Sequence, residues 1–176
     1  MKLTREEKAE RKRAEKLARE TAERRRAEKF MKAAIRQART AEKAGEVPIG
    51  AVIVMDGKVV ARAHNLRETK RLATAHAEII AIEKACRKIK DWRLSGAEMF
   101  VTLEPCPMCA GAIANARISS LYFGAYERKC GACGSVHNVL ESTGQNSNVS
   151  VAGGVLEEEC SALVKSFFEN KRNKMP

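Results

Sequence analysis

Three residues of this 176-residue chain have the types and spacing to hold a metal. His76 stands in Thr74-Ala75-His76-Ala77-Glu78, and Cys106 and Cys109 stand in Thr102-Leu103-Glu104-Pro105-Cys106-Pro107-Met108-Cys109. One imidazole and two thiolates fill three corners of a tetrahedral zinc site and leave the fourth for water. That is the pattern of catalytic zinc; structural zinc usually takes four protein ligands. Glu78, two residues after His76, is placed to take a proton from that water and return it to a leaving amine. H-x-E alone arises by chance, and C-x-x-C alone reads as zinc, redox or coincidence. Joined in this order, with Pro105 ahead of the first Cys, the set is specific. A second C-x-x-C, Cys130-Gly131-Ala132-Cys133, has only His137 nearby, and nothing completes a second tetrahedron. His64 is expected in a loop beside the site and His137 at the surface.

The elements that must position these groups can be read from periodicity. Phe30, Ala33, Ala34, Ala38 and Ala41 recur at helical spacing, and Gly45 stops that helix. Residues 50–55 and 58–62 read as antiparallel strands about the Asp56-Gly57 turn. After a polar loop, 66–73, a helix is predicted over 75–88, with Ile79, Ile82, Ala85 and Cys86 on its apolar face. His76 then lies in its first turn, where backbone N–H groups are unpaired. Residues 99–103 form a strand, and Pro107 suits the first position of a helix, so Cys106 and Cys109 fall at its N-terminus. The helix dipole there favours thiolate, the metal-binding form. A further strand is predicted at 120–124. The order strand, helix, strand, helix, strand implies parallel neighbours with right-handed crossovers and a site at the strand ends. Residues 125–148 form a long loop with a short turn at 136–140, and 149–152 a last strand. A closing helix over 155–171 has Leu156, Cys160, Leu163, Val164, Phe167 and Phe168 on its apolar side, one Phe inside and one near the pocket rim.

Composition bounds the setting. The length suits one domain plus an extension. Residues 1–29 hold twelve basic and seven acidic residues without an apolar stripe, a charged helical or disordered extension; 30–176 form the metal-bearing domain. A charged start without an apolar signal core, and no run of membrane-spanning length, predict a cytoplasmic protein with reduced cysteines. A net charge of +11 and a pI near 9.6 point to a polyanionic partner.

The two motifs together make H-x-E…P-C-x-x-C, the signature of zinc nucleobase deaminases. With Glu46-Val47-Pro48-Ile49-Gly50-Ala51-Val52, Phe123-Gly124-Ala125, Gly131-Ala132-Cys133-Gly134-Ser135, Gly154-Val155-Leu156-Glu157-Glu158-Glu159-Cys160 and Phe167-Phe168, the chain from about Phe30 to Lys174 resembles the bacterial tRNA adenosine deaminases (the TadA family) of the cytidine-deaminase-like superfamily. The resemblance implies a three-layer α/β/α fold with a mixed five-stranded sheet, and a homodimer. It implies one Zn2+ per subunit on His76, Cys106 and Cys109, with Glu78 as proton carrier. The implied reaction is hydrolytic conversion of the wobble adenosine of tRNA to inosine, with the tRNA anticodon stem-loop as partner. It implies that Asn65 contacts the flipped nucleotide and that the backbone around Ala77 holds the base. The loop after Gly124, with Glu127, and the closing helix, with Phe168, would meet the anticodon loop. The sequence departs from the family pattern at Leu72-Ala73, at Glu127-Arg128 and at Ser147; the arm 1–29 lies outside the resemblance. Two other readings use the same residues. A free-base or nucleoside deaminase acting on guanine, cytosine or cytidine shares the zinc chemistry but has no use for so basic a surface. A non-catalytic RNA-binding subunit has no need of Glu78.

Overall fold

The computed structural model describes residues 4–142 and 149–173; the departure at Ser147 lies outside them. Helix α1 (Arg5–Lys43) opens on a capping box, in which the Thr4 hydroxyl accepts from Glu7 N at 3.2 Å and the Glu7 carboxylate accepts from Thr4 N at 2.7 Å. The change of composition near Phe30 leaves the backbone unmarked, since one helix runs through it. What changes is burial. Every described residue up to Arg25 is exposed, and the buried stripe begins at Ala27 and continues through Phe30, Met31, Ala34, Ile35, Ala38 and Ala41. Arg26 marks the junction with two hydrogen bonds from its guanidinium to the Glu98 carboxylate, one of them at 2.7 Å.

Strands β1 (Gly50–Met55) and β2 (Lys58–His64) form the expected hairpin. A single turn, α2 (Arg67–Lys70), precedes α3 (Ala77–Ile89). Then come β3 (Glu98–Leu103), α4 (Pro107–Asn115), β4 (Ser120–Ala125), the short α5 (Val139–Ser142), β5 (Ser150–Ala152) and α6 (Glu157–Asn173). The five strands form one sheet in the order β2-β1-β3-β4-β5. The sheet is mixed, as expected, but β2 and β3 are not the parallel neighbours that the element order implied. The hairpin already commits one edge of β1 to β2, so β3 docks antiparallel on its free edge. Parallel pairing is confined to β3–β4 and β4–β5. His64 belongs to the end of β2 and not to a loop.

Alternation along the strands divides the core into two layers. Val52, Val54 and Phe100 face α1 and the buried Cys160 of α6; Ala51, Ile53, Met99 and Val101 face the layer that holds Ile80, Ala81, Ala110 and Ile113 of α3 and α4. Helix α1 lies directly on β1 at Gly50, where an added Cβ would stand 2.1 Å from Ala34 O and 2.4 Å from Ala38 N. Phe30, Phe100 and Tyr122 stack beneath it with centroid separations of 5.2 and 4.6 Å.

Two helix faces differ from expectation. On α3 the buried line is Ala77, Ile80, Ala81 and Ala85, with Ile82 and Cys86 at its margin and Ile79 only half buried. Small residues on this line let the helix lie close to the sheet, so alanines rather than isoleucines set its direction. On α6 only Cys160 is buried, and Leu163, Val164 and Phe167 are half buried. That helix meets β4 and α1 along a narrow line, and Phe168 stays 45% exposed.

Candidate active site

The topology brings the N-termini of α3 and α4 together at one end of the sheet. His76 is the N-cap of α3 and Cys106 the N-cap of α4, with Pro107 at its first position. Cys109 is one turn in and fully buried. The three ligand atoms lie within 4.8 Å of one another, with His76 Nδ1 3.8 Å from Cys106 Sγ and 3.6 Å from Cys109 Sγ. Tetrahedral zinc with ordinary bond lengths sets nitrogen and sulfur ligands roughly 3.6 Å apart, so the donor set and its spacing fit that ion. Among the described residues no fourth His, Cys, Asp or Glu joins the group.

Electrostatics prepares the sulfurs. Hydrogen bonding from Cys109 and His76 outweighs burial and pulls the Cys106 thiol well below its ordinary value, toward the metal-binding thiolate. Cys109 is pushed up, chiefly because it donates to Cys106 and also by burial. His76 is raised by its bond with Cys106 against the effect of burial. Glu78, in the first turn of α3, is 4% exposed, and its Oε2 is buried without a hydrogen-bond partner among the described residues. Burial raises the Glu78 carboxyl above its ordinary value, and the charge of His76 acts against that rise. A carboxylate raised in this way, with one oxygen unused, is suited to carry a proton.

The remaining sequence-derived positions are spread around this centre. Ala77 is fully buried as the first residue of α3. Asn65, 5% exposed, directly follows β2, and its Nδ2 donates to Glu46 Oε2 at 3.3 Å. Glu127, just beyond β4, accepts at Oε1 from Lys129 N at 2.8 Å, so the departure at this position caps its own turn. Leu72 is 53% exposed in the segment between α2 and α3. Phe168 meets Phe167 edge-on at 5.5 Å on α6. Of the second C-x-x-C, Cys130 is exposed and Cys133 buried, and neither joins the metal cluster. His137 is exposed.

Two carboxylates that sequence reasoning passed over hold the walls of the site. Glu46, fully buried, accepts from Asn65 Nδ2, from Glu68 N at 3.2 Å and from Thr69 N at 2.6 Å. Burial alone would raise its carboxyl, but the bonds from Thr69 and Glu68 hold it below its ordinary value. Glu104, 2% exposed, accepts from the backbone of Glu127, Cys133 and Ser135. Each is a lone acid in a polar or Pro-containing run, and the only available signal was its place within a longer matching segment.

With the cluster, the buried Glu78 carboxylate and the sheet order in place, comparison with known proteins decides the family. Residues 25–172 match the MafB19-like deaminase family. A tRNA-specific adenosine deaminase of Bacillus subtilis is 50% identical over 144 residues, 82% of this chain and 89% of that protein. The chain belongs to the tRNA-specific adenosine deaminase family. A solved structure from a study of A-to-I editing by tRNA:A34 deaminases at the wobble position is 44% identical, with a TM-score of 0.74, covering 76% of this chain and 97% of that one. A guanine deaminase from Nitrosomonas europaea shares the fold at 25% identity, with a TM-score of 0.71 over 80% of this chain and 83% of that one. The family resemblance thus extends over the whole domain, from the buried half of α1 through α6, and covers every element that contributes to the site.

Proposed function

We propose that this protein hydrolyses the 6-amino group of the wobble adenosine in a tRNA anticodon loop, giving inosine and ammonia. The observation that carries the chemistry is Glu78, a buried carboxylate with an unpaired oxygen beside a His-Cys-Cys set of metal-binding geometry. His76, Cys106 and Cys109 would hold zinc, which supplies Lewis acidity and brings the pKa of an attacking water from 15.7 toward about 7. Glu78 accepts the proton released from that water. It delivers that proton to the ring nitrogen next to C6, then takes the second proton from the oxygen now bonded to C6 and passes it to the departing amine. Burial raises the Glu78 carboxyl above its ordinary value, the direction that suits a group that takes up and returns protons. The C6–N bond breaks as the oxygen added to C6 becomes a carbonyl, and water is the only co-reactant needed.

The choice of substrate is supported by 50% identity to a tRNA-specific adenosine deaminase and by the net charge of +11, which a neutral free base would not use. The likeness to a guanine deaminase is weaker, at 25% identity. In this reading Asn65 and Ala77 line the nucleotide site, and Glu127 and Phe168 belong to surfaces that meet the anticodon loop. The protein works in the cytoplasm, as a homodimer. No helix among the described residues is long and apolar enough to cross a membrane.

The test is to incubate the zinc-loaded protein with an anticodon stem-loop bearing a wobble adenosine, in parallel with free guanine and cytidine. Inosine at the wobble position alone is the expected result. Conversion of only the small substrates would overturn the tRNA assignment. Cys106→Ala should lose zinc and activity together, and full zinc occupancy in that variant would contradict the ligand set.

A further inference from the structure

We propose that Glu104 is a positioning residue whose buried carboxylate clasps the 127–135 segment onto the strand end leading to Cys106, and so fixes Arg128 and Lys129 as phosphate contacts at the mouth of the site. The clasp has two halves. Glu104 Oε1 accepts from Cys133 N and from Ser135 N, each at 3.0 Å. Oε2 accepts from Glu127 N at 3.1 Å and from the Ser135 hydroxyl. Backbone bonds run alongside, from Ala132 N to Pro105 O and from Glu104 N to Ala125 O, both at 2.9 Å. A carboxylate this buried is normally paired with a cation or saturated with donors. Here the donors come from one loop, so the negative charge organises that loop and nothing else.

The fit is close enough to exclude a methyl group. A Cβ added at Gly131 would stand 2.5 Å from Glu104 Oε2 and 2.4 Å from Glu127 O. The segment therefore wraps the carboxylate with no slack, and Lys129 N is tied back to Glu127 Oε1. The residues left at the outer side of this turn are Arg128 and Lys129, both exposed, and neither forms an ion pair among the described residues. Two cations without an ion pair among the described residues are thus pinned to the run of backbone that leads to Cys106. Their natural counterpart is the phosphate backbone of the RNA whose base enters the site. This inference rests on the tRNA reading above.

The experiment uses the full-length, zinc-loaded protein and four variants, Glu104→Gln, Gly131→Ala, Ser135→Ala and the double variant Arg128→Gln/Lys129→Gln. Zinc content, kcat and KM on the anticodon stem-loop, the salt dependence of binding, and amide hydrogen exchange over 127–135 are measured. Zinc content should stay at the wild-type level in all four. KM should rise about tenfold in Glu104→Gln and Gly131→Ala, with a smaller effect on kcat and a lesser rise in Ser135→Ala. The double variant should reduce the salt slope by about 1.4, the value for two phosphate contacts on a single strand. Combined with Glu104→Gln it should add little, since the same contacts are already lost. Exchange at the amides of Glu127, Cys133 and Ser135 should be slow in the wild type and much faster in Glu104→Gln. Unchanged exchange, unchanged KM, full additivity or loss of zinc would each overturn the clasp. If the wild type forms no inosine, the tRNA reading fails, and the exchange data, which need no substrate, still decide whether Glu104 holds the loop. Ser135→Ala and the exposed double variant keep the test open if Glu104→Gln does not fold.

Discussion

Glu46→Gln removes a charge and one acceptor from a fully buried group while keeping its shape. Oε2 accepts from both Asn65 Nδ2 and Glu68 N, and Oε1 from Thr69 N, with the Thr69 side chain also bonded to the carboxylate. The amide therefore places its NH2 where Oε1 was, and the 2.6 Å bond from Thr69 N is the one lost. A hydrogen bond to a charged acceptor contributes about 1.5–3 kcal/mol net, and the Thr69 N–H is left facing a donor. For a domain of this size each kcal/mol moves Tm by about 2–4 °C, so Tm at pH 7 should fall by roughly 3–12 °C. The pH dependence separates this account from simple loss of packing. The Glu46 carboxyl is held below its ordinary 4.5, so the unfolded chain binds its proton first as pH falls. Its stabilisation is complete above the unfolded value and is lost as pH drops through the lower, folded value. The gap in Tm between wild type and variant should thus be constant from pH 7 to about 5.5 and shrink below about 4. Thermal unfolding followed by circular dichroism across that range measures it. A gap that stays constant, or widens, at low pH would refute the claim that the charged form is what the loop amides hold.

Other perturbations separate chemistry, packing and the arm. Glu78→Gln should keep zinc and lower kcat by about 10²–10⁴, the usual share of a positioned acid–base group; metal analysis with single-turnover inosine formation checks it. Gly50→Ala drives a methyl into the α1 backbone at Ala34 O, where neither partner can rotate away. It should cost about 1–3 kcal/mol in denaturant unfolding. Removing residues 1–24 should leave Tm within about 2 °C, since no described side chain there is buried and exposed i,i+4 ion pairs such as Arg11–Glu15 contribute only a few tenths of a kcal/mol.

Where the sequence was legible, the cause of structure was local. The hairpin at Asp56-Gly57 and the Pro107 start of α4 with Cys106 ahead of it each depend on a few consecutive residues, whereas His76, expected inside the first turn of α3, is its N-cap. The metal cluster was legible for the same reason, because ligand chemistry restricts residue type as tightly as a turn does. The sheet order was not, since the docking of β3 on β1 depends on which edge the hairpin leaves free, a property of the assembled sheet. The buried face of α3 differs from the expected one because Ile79 and Ile82 weigh heavily in a periodicity, whereas the buried line here runs through Ala77, Ile80, Ala81 and Ala85. Glu46 and Glu104 are the deepest omissions. In sequence each is a single acid, of a residue type almost never fully buried without partners. Their partners, Asn65 and Thr69 for one and Glu127, Cys133 and Ser135 for the other, are 19 to 31 residues away. Those partners are mostly backbone amides, which carry no residue identity at all. A composition scan therefore finds the groups that do chemistry and misses the groups that hold the walls around them. The two carboxylates share one construction, in which a buried acid is held mainly by backbone N–H groups of one short segment, α2 for Glu46 and 127–135 for Glu104. That arrangement lets polar loops at the mouth of the site keep a fixed shape without a hydrophobic core of their own.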